Sequence, residues 1–443
     1  MPTPESTAAS AQPSAPAPAP SRPGFQRAQR AQREAFLLTW LVYVAFYLTR
    51  KDFDGAKPGM MAPHDGLPGD YTKAQVATLD TFFLGSYAAG HFLAGPLGDW
   101  LGARRMALVG LGLSVLANVA FGLLHPVPAL TVAITLNGLA QALGYPQCCK
   151  IIAAWFPPEQ RGRASAWFLT SYTLGDIAAK ALAGAMVNHV GWRWAFFVPA
   201  GIVTGMLALL FLRLRGTPAE AGVQEAAKPS SEPVKDQPHG HPRFGSELLA
   251  LLRHPAIWLV CSSYFILKMA RYTFLGWSNV FLFEKLGYKA GDATLATIPI
   301  TVGGLVGTLA AGYASDRLFQ ARRAPVAVLS LVGLAILTPI YAHLEPGQPG
   351  LAIGLHLGVG FCLFAADAIM SMATAMDLGT GKGAASAAGV INGAGSIGAT
   401  LSPFLGAYVS TRFGWTNAWY VLAVLMAVAA VITLPRWNKS GSA

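Results

Sequence analysis

Residues 95–105 read GPLGDWLGARR, and residues 312–323 read GYASDRLFQARR. Each sets an aspartate (Asp99, Asp316) a few residues ahead of an arginine pair (Arg104 and Arg105; Arg322 and Arg323), and the two copies lie 217–218 residues apart. Each is a short polar hinge between two apolar stretches, 75–98 and 105–124 in the first copy, 293–315 and 324–344 in the second. Other landmarks recur at nearly the same offset: Arg50 with Arg271 at 221, Arg161 with Lys382 at 221, and Gly191-Trp192 with Gly414-Trp415 at 223. The chain is therefore two copies of one unit.

Working outward from the hinges, apolar stretches of about 20 residues follow one another, each long enough to cross roughly 30 Å of hydrocarbon. Twelve are legible: 34–51, 75–98, 105–124, 128–154, 162–188, 194–214, 255–283, 293–315, 324–344, 350–376, 384–410 and 415–435. The composition agrees, with 443 residues, 53% hydrophobic and only 12% charged, and a mean hydropathy of +0.44. A soluble domain carries about 25% charged residues, so there is too little polar side chain to skin soluble domains. The expected fold is an all-α membrane protein of twelve transmembrane helices. The longest polar interruption, Arg215 to Arg253, divides the spans six and six. This predicts a disordered tail over 1–32, bundles over 33–214 and 254–436, a flexible linker over 215–253 and a short tail over 437–443. With six spans per copy the two bundles share orientation, related by a pseudo-twofold axis along the membrane normal. That architecture puts a substrate site between the bundles near mid-depth.

The net charge of +11 would suit a nucleic-acid partner, but the cations sit in short loops between spans and not on one face. The tails and the loops on their side hold 21 Lys and Arg, and the opposite loops hold 7, including Lys51 and Lys57. The positive-inside rule then makes both termini cytoplasmic. Cys148, Cys149, Cys261 and Cys362 fall inside apolar runs with no disulfide or metal-ligand spacing. No HExxH, GxSxG or GxxxxGK[ST] pattern is present, which leaves no catalytic parts and implies neither metal nor cofactor. The glycine-rich GVINGAGSIGA (389–399) lies in a span and reads as a close helix-packing surface. Alanine richness and the lack of a targeting signal suggest a bacterial inner membrane.

Charges inside spans carry the functional reading, because an intramembrane Arg or Lys costs roughly 2.5–3.5 kcal/mol on insertion scales. Such a group must line a cavity, pair or snorkel. Arg50 ends the first span beside Lys51, so snorkelling is open to it. Arg271 lies deep in the seventh span, about 24 Å along the axis at 1.5 Å per residue. Two repeat-related arginines on one cavity form a clamp for a dianion, since guanidinium forks donate in pairs and keep their charge. Tyr43, Tyr47 and Arg50 share one helical face, as do Tyr87 with His91, and Tyr264 with Lys268 and Arg271. His91 titrates near neutrality when unperturbed. The acids within spans are Asp80, Asp176 and Asp367. Lys180 follows Asp176 by four residues, the spacing of a helical ion pair. Asp367 has no local partner, and Lys268 or Arg271 could serve as one.

GPLGDWLGARR resembles the cytoplasmic signature of the major facilitator superfamily, whose acid and basic residues latch one conformation. YLTRKDFDGAKP (47–58), NGLAQALGYPQCC (137–149), WFPPEQRGRAS (155–165), RGTPAEAGV (215–223), ARYTFLGWSNVFL (270–282) and GTLAAGYASDRLFQARRAPV (307–326) narrow the resemblance. They are similar to the organophosphate:phosphate antiporters, the glycerol-3-phosphate and hexose-phosphate transporters, over nearly the whole chain from about residue 33. The resemblance implies a monomeric exchanger of an organic phosphate for inorganic phosphate by rocker-switch alternating access. Arg50 and Arg271 would bind the phosphate, with Lys268, His91, Tyr43, Tyr47, Tyr87 and Tyr172 around it. Where glycerol-3-phosphate members carry Lys, His, Tyr and Asp, this chain has His91, Tyr172, Lys268 and Gly276, so fixed positive charge has moved from the second span to the seventh. Two other readings stay open, a proton-coupled symporter of an organic anion using Asp367 or His91, and a non-transporting sensor of sugar phosphate.

Overall fold

The computed structural model describes residues 22–63, 69–223, 253, 255–320, 322–373 and 383–438. The described residues are helices joined by turns, bends and short irregular links, with no strand among them. The first half runs through α1 (Arg22–Leu48), α2 (Asp52–Met61), α3 (Lys73–Leu101), α4 (Ala103–Leu123) and the broken span α5 (Val127–Ala142) and α6 (Gly144–Trp155). It ends with α7 (Pro158–His189) and α8 (Trp194–Arg213). The second half begins with α9 (Pro255–Leu286), a short α10 (Ala290–Leu295) and α11 (Ile298–Tyr313). It continues through α12 (Ala324–Ala342), α13 (Pro349–Ala368), α14 (Gly383–Thr400) and α15 (Ser410–Thr433). These make two six-span bundles.

The turns that close the last span pair repeat between halves. Gly191, before Trp192, has φ +100°, and Gly414, before Trp415, has φ +82°. Glycine alone takes that backbone without strain, so Gly414 ends the eleventh span and Trp415 starts the twelfth inside one helical run. Seven helical runs among the described residues are long and apolar enough by composition alone to cross a membrane, the longest (Val390–Arg436) holding parts of two spans. Neither α7 nor α9 is among them. They carry Asp176 and Lys180, and Lys268 and Arg271, in mid-run, and they face the partner bundle. Their lower hydropathy follows from building an interior. Helix α14 lies against α9 through glycine, as the sequence predicts: a Cβ on Gly395 would come 2.6 Å from Tyr264 Cε1 and 2.9 Å from Lys268 Cγ.

Several expectations need correction. Helix α1 starts at Arg22, inside the segment read as a disordered tail. Ala28 and Ala35 bury one side of that extension, while Gln32 Nε2 donates to the Trp155 carbonyl at 2.7 Å. Residues 1–21 and 224–252, with Lys382, lie outside the described residues. Lys51 and Lys57, counted as loop cations, are interior groups, Lys57 fully so. Asp99 does not pair with Arg104 or Arg105: the turn at Gly102 (φ +86°) directs both arginines away, and Asp99 Oδ1 takes Lys150 Nζ at 2.6 Å. Arg104 donates to the Phe211 carbonyl instead. In the second copy Asp316 does pair with Arg323 at 2.8 Å, while Arg322 donates to the Phe319 carbonyl.

Polar bonds between the halves gather at mid-depth and at the end away from the termini, called distal below. There Lys73 pairs with Glu284 at 2.6 Å, Asn188 donates to Asp292 at 2.8 Å and Thr294 donates to the Gly55 carbonyl at 2.8 Å. At the opposite end Asp99 and Asp316 pair within their own halves, with side chains 77% and 63% exposed. The bundles are bonded to each other at the distal end.

Candidate functional site: a charged chamber between the bundles

Arg50 owes its place to a helix end. α1 stops at Leu48, and a terminating helix leaves carbonyls without partners. The Thr49 carbonyl accepts from Asn137 Nδ2 (2.9 Å) and Asn118 Nδ2 (3.1 Å). Ser114 Oγ donates to Asn137 Oδ1 (2.6 Å), and Gln141 Nε2 donates to Ser114 Oγ (2.8 Å). This buried knot anchors the Thr49–Lys51 turn that aims Arg50 inward, so snorkelling is ruled out: Arg50 is 7% exposed. Its guanidinium carbon lies 4.0 Å over the Tyr87 ring and 5.6 Å from that of Tyr47, a cation–π cradle. Asn137→Ala leaves buried groups unpaired, which costs about 1–3 kcal/mol; a matching drop in thermal stability, read by thermal unfolding in detergent, is the expected outcome.

From the opposite bundle, Arg271 pairs with Asp367 Oδ2 and lies 4.2 Å over the Phe364 ring. Lys268 Nζ meets Asp367 Oδ1 at 3.0 Å, and the Tyr264 hydroxyl donates to the same oxygen at 3.1 Å. The Arg271 Nε–H is buried without a hydrogen-bond partner. Arg50 reaches across to the second half by donating to the Tyr272 hydroxyl at 3.4 Å. Both arginines line one small chamber of about 30 Å³, walled by Tyr47, Tyr172, Tyr272 and Phe364.

Other expected residues fall around it. Tyr43 backs the wall, its ring 5.3 Å from Tyr47 and 5.1 Å from Phe168. His91 meets Tyr87 edge-on at 4.4 Å. Asp176 pairs with Lys180 at 2.9 Å and also accepts from Thr301 of the partner bundle, so the pair spans the interface. Asp99, Arg104, Arg105, Asp316, Arg322 and Arg323 lie away from the chamber at the termini-bearing end.

Sequence reading missed a second buried network. Lys57 Nζ contacts Asp54 Oδ1 (2.8 Å), Asp80 Oδ2 (2.7 Å) and the Gly276 carbonyl (3.0 Å). Lys51 takes the other oxygen of Asp54 at 2.6 Å, and Trp277 Nε1 donates to Asp80 at 3.0 Å. The i, i+3 spacings of Lys51, Asp54 and Lys57 were a usable signal. Tyr272, Phe364 and Thr301 gave none, because an aromatic or a threonine in an apolar span is ordinary packing.

The family model of the Major Facilitator Superfamily matches residues 35–397. The chain belongs to that superfamily. Other members are similar across its length. The membrane sensor protein UhpC of Salmonella typhimurium is 28% identical, with 92% of each chain covered. A probable hexose phosphate transport protein of Chlamydia pneumoniae is 28% identical over 91% of each. The glycerol-3-phosphate transporter of Bacillus subtilis is 26% identical over 93% of each. Among solved structures, an inward-facing, unoccupied bacterial homologue of the human lysosomal transporter Spinster superposes with a TM-score of 0.71 at 16% identity, covering 92% of this chain and 95% of that one.

Proposed function

We propose that this chain is a multi-pass secondary transporter that exchanges an organic phosphate ester, of the sugar-phosphate or glycerol-phosphate kind, for inorganic phosphate. The observation that carries the reading is that Arg50 and Arg271, from opposite bundles, line the same chamber. Arg50, Arg271 and Lys268 against Asp367 leave two net positive charges, which suits a phosphate dianion. Inorganic phosphate and its monoesters share that headgroup, so one clamp serves both. The named relatives, a hexose phosphate transport protein and a glycerol-3-phosphate transporter, support the substrate class.

In this mechanism the dianion displaces Asp367 from Arg271 and bridges to Arg50. The bridge neutralises the like charges that face each other across the bundle interface and permits the distal-closed state to exchange with the opposite one. An unfilled clamp repels itself, which couples each inward trip to an outward one. In this reading the chain lies in a bacterial inner membrane with both termini cytoplasmic. It acts as a monomer.

Counterflow in phosphate-loaded proteoliposomes tests this, with glycerol phosphate, hexose phosphates and phosphonates outside. Exchange of one or more esters is expected; uptake driven by a pH gradient without internal phosphate would favour a symporter. Asp367, held between two cations, is poorly placed to be that symporter's proton acceptor. The sensor reading has one specific observation behind it, the likeness to UhpC; saturable binding with no flux would establish it.

Asp367→Asn offers a separate check. Removing the acid sets Lys268 and Arg271 side by side without an anion, an uncompensated interior charge of the kind that costs about 3–5 kcal/mol. Added phosphate substitutes for the missing carboxylate. The phosphate-induced rise in melting temperature is therefore larger in Asp367→Asn than in the parent protein, and equal rises would refute the displacement step.

A further inference from the structure

Four interior acids have a cation at hand. Asp54 has Lys51 and Lys57, Asp80 has Lys57, Asp176 has Lys180, and Asp367 has Lys268 and Arg271. Asp52 is different. It is 0% exposed, its Oδ1 accepts the Phe53 N–H at 2.7 Å, and its Oδ2 has no hydrogen-bond partner. Among the described residues it takes part in no ion pair.

The charged groups on the elements packed around α2 are committed elsewhere. Lys51 and Lys57, flanking Asp52 in sequence, hold Asp54 and Asp80 of α3. On α7, Asp176 and Lys180 hold each other. Arg193, ahead of α8, donates to the Gly122 and Leu124 carbonyls at 3.0 Å. On α9, Glu284 takes Lys73; on α10, Asp292 takes Asn188.

Helical spacing explains the isolation. Asp54 and Lys57 fall on the side of α2 that meets α9, where Asn279 Nδ2 donates to the Asp54 carbonyl. Asp52, Ala56 and Gly59 fall on the opposite side. A Cβ on Gly59 would lie 2.8 Å from Val187 Cγ1 of α7 and 3.0 Å from Trp192 Cβ, so that side is pressed onto its own bundle. A helix N-terminus favours an anion modestly, far less than burying an uncompensated carboxylate costs. No cluster of three metal-ligating side chains is present among the described residues, which leaves the proton as the fitting ligand.

We propose that Asp52 is a proton-binding site, held as the neutral acid where α2 presses onto its own bundle. The bonds of α2 to α9 and α10 run through Asp54, Gly55 and Lys57 and leave Asp52 out. The site lies outside the anion chamber and stands whatever the chamber carries.

The test uses the full-length protein and Asp52→Asn. Folding takes up a proton here, because an unfolded aspartate is ionised above about pH 4. The stabilising contribution is present at low pH and is lost as pH rises through the folded-state value. Relative to Asp52→Asn, the unfolding equilibrium constant of the parent protein should rise by up to about ten-fold per pH unit from about pH 4 up to that value, and level off above it. Infrared difference spectra at neutral pH should show a protonated-carboxyl band that Asp52→Asn lacks. Should Asp52→Asn fail to fold, Asp52→Ser supplies the same comparison. Superimposable pH profiles, or no difference in that band, would overturn the assignment. Neither readout involves transport, so failure of the exchange reading would show separately, as absent counterflow.

Discussion

Arg50→Ala and Arg271→Ala are each expected to lower phosphate counterflow by at least about 100-fold. A charge-assisted hydrogen bond contributes about 1.5–3 kcal/mol, and a guanidinium fork makes two of them to a phosphate. At 1.4 kcal/mol per tenfold, losing one fork removes two orders of magnitude or more. Lysine at either position keeps the charge and loses the fork, so those variants fall between parent and alanine. Folding is a weaker explanation for such a loss. Arg271→Ala leaves Asp367 paired with Lys268 at 3.0 Å, and Arg50 has aromatic neighbours and the Tyr272 hydroxyl around it, with no acid to strand. Melting temperatures for both variants should stay close to the parent's. Counterflow that survives either alanine intact would sink the clamp.

The largest effect on stability is expected at Lys57, a residue that never touches the chamber. Lys57→Met strips the cation from two acids at once. Asp54 retains Lys51, but Asp80 is left with only the Trp277 N–H, 4% exposed and far from bulk water. Stranding a buried charge costs about 3–5 kcal/mol. Because Lys57 also donates to the Gly276 carbonyl of the second half, the loss falls partly on the distal closure. Adding Asp80→Asn to Lys57→Met removes the stranded charge and should restore most of the stability, a coupling that a double-mutant cycle measures. Thermal unfolding in detergent gives the numbers; a double variant no better than Lys57→Met would show that packing, and not charge, is lost there.

Lys57 also marks where sequence reading met its limit. YLTRKDFDGAKP runs out of the first apolar stretch and carries seven charged or hydroxylated residues, so its end reads as a loop and its lysines as exposed. In the fold, Lys51, Asp54 and Lys57 satisfy one another, and a segment that neutralises itself can be buried as α2. Asp99 shows the same limit on a smaller scale. Its nearest cations in sequence are Arg104 and Arg105, but the left-handed turn at Gly102 gives the contact to Lys150, half a bundle away.

The sequence by itself determined the all-helical membrane class and the two-copy architecture, and singled out Arg50 and Arg271 as repeat-related charges within spans. All three rest on local hydropathy, on the recurrence of motifs at one offset, and on the cost of placing a guanidinium among apolar residues, none of which requires knowing what packs on what. Only the tertiary structure decided the partners. Asp367 between Lys268 and Arg271, Arg50 against Tyr87 and Tyr272, and Thr49 under Asn118 and Asn137 join residues from helices far apart in the chain. Ion pairs and hydrogen bonds act over a few ångströms, and which groups come that close is fixed by how two bundles meet, a property of packing that no single stretch of residues encodes.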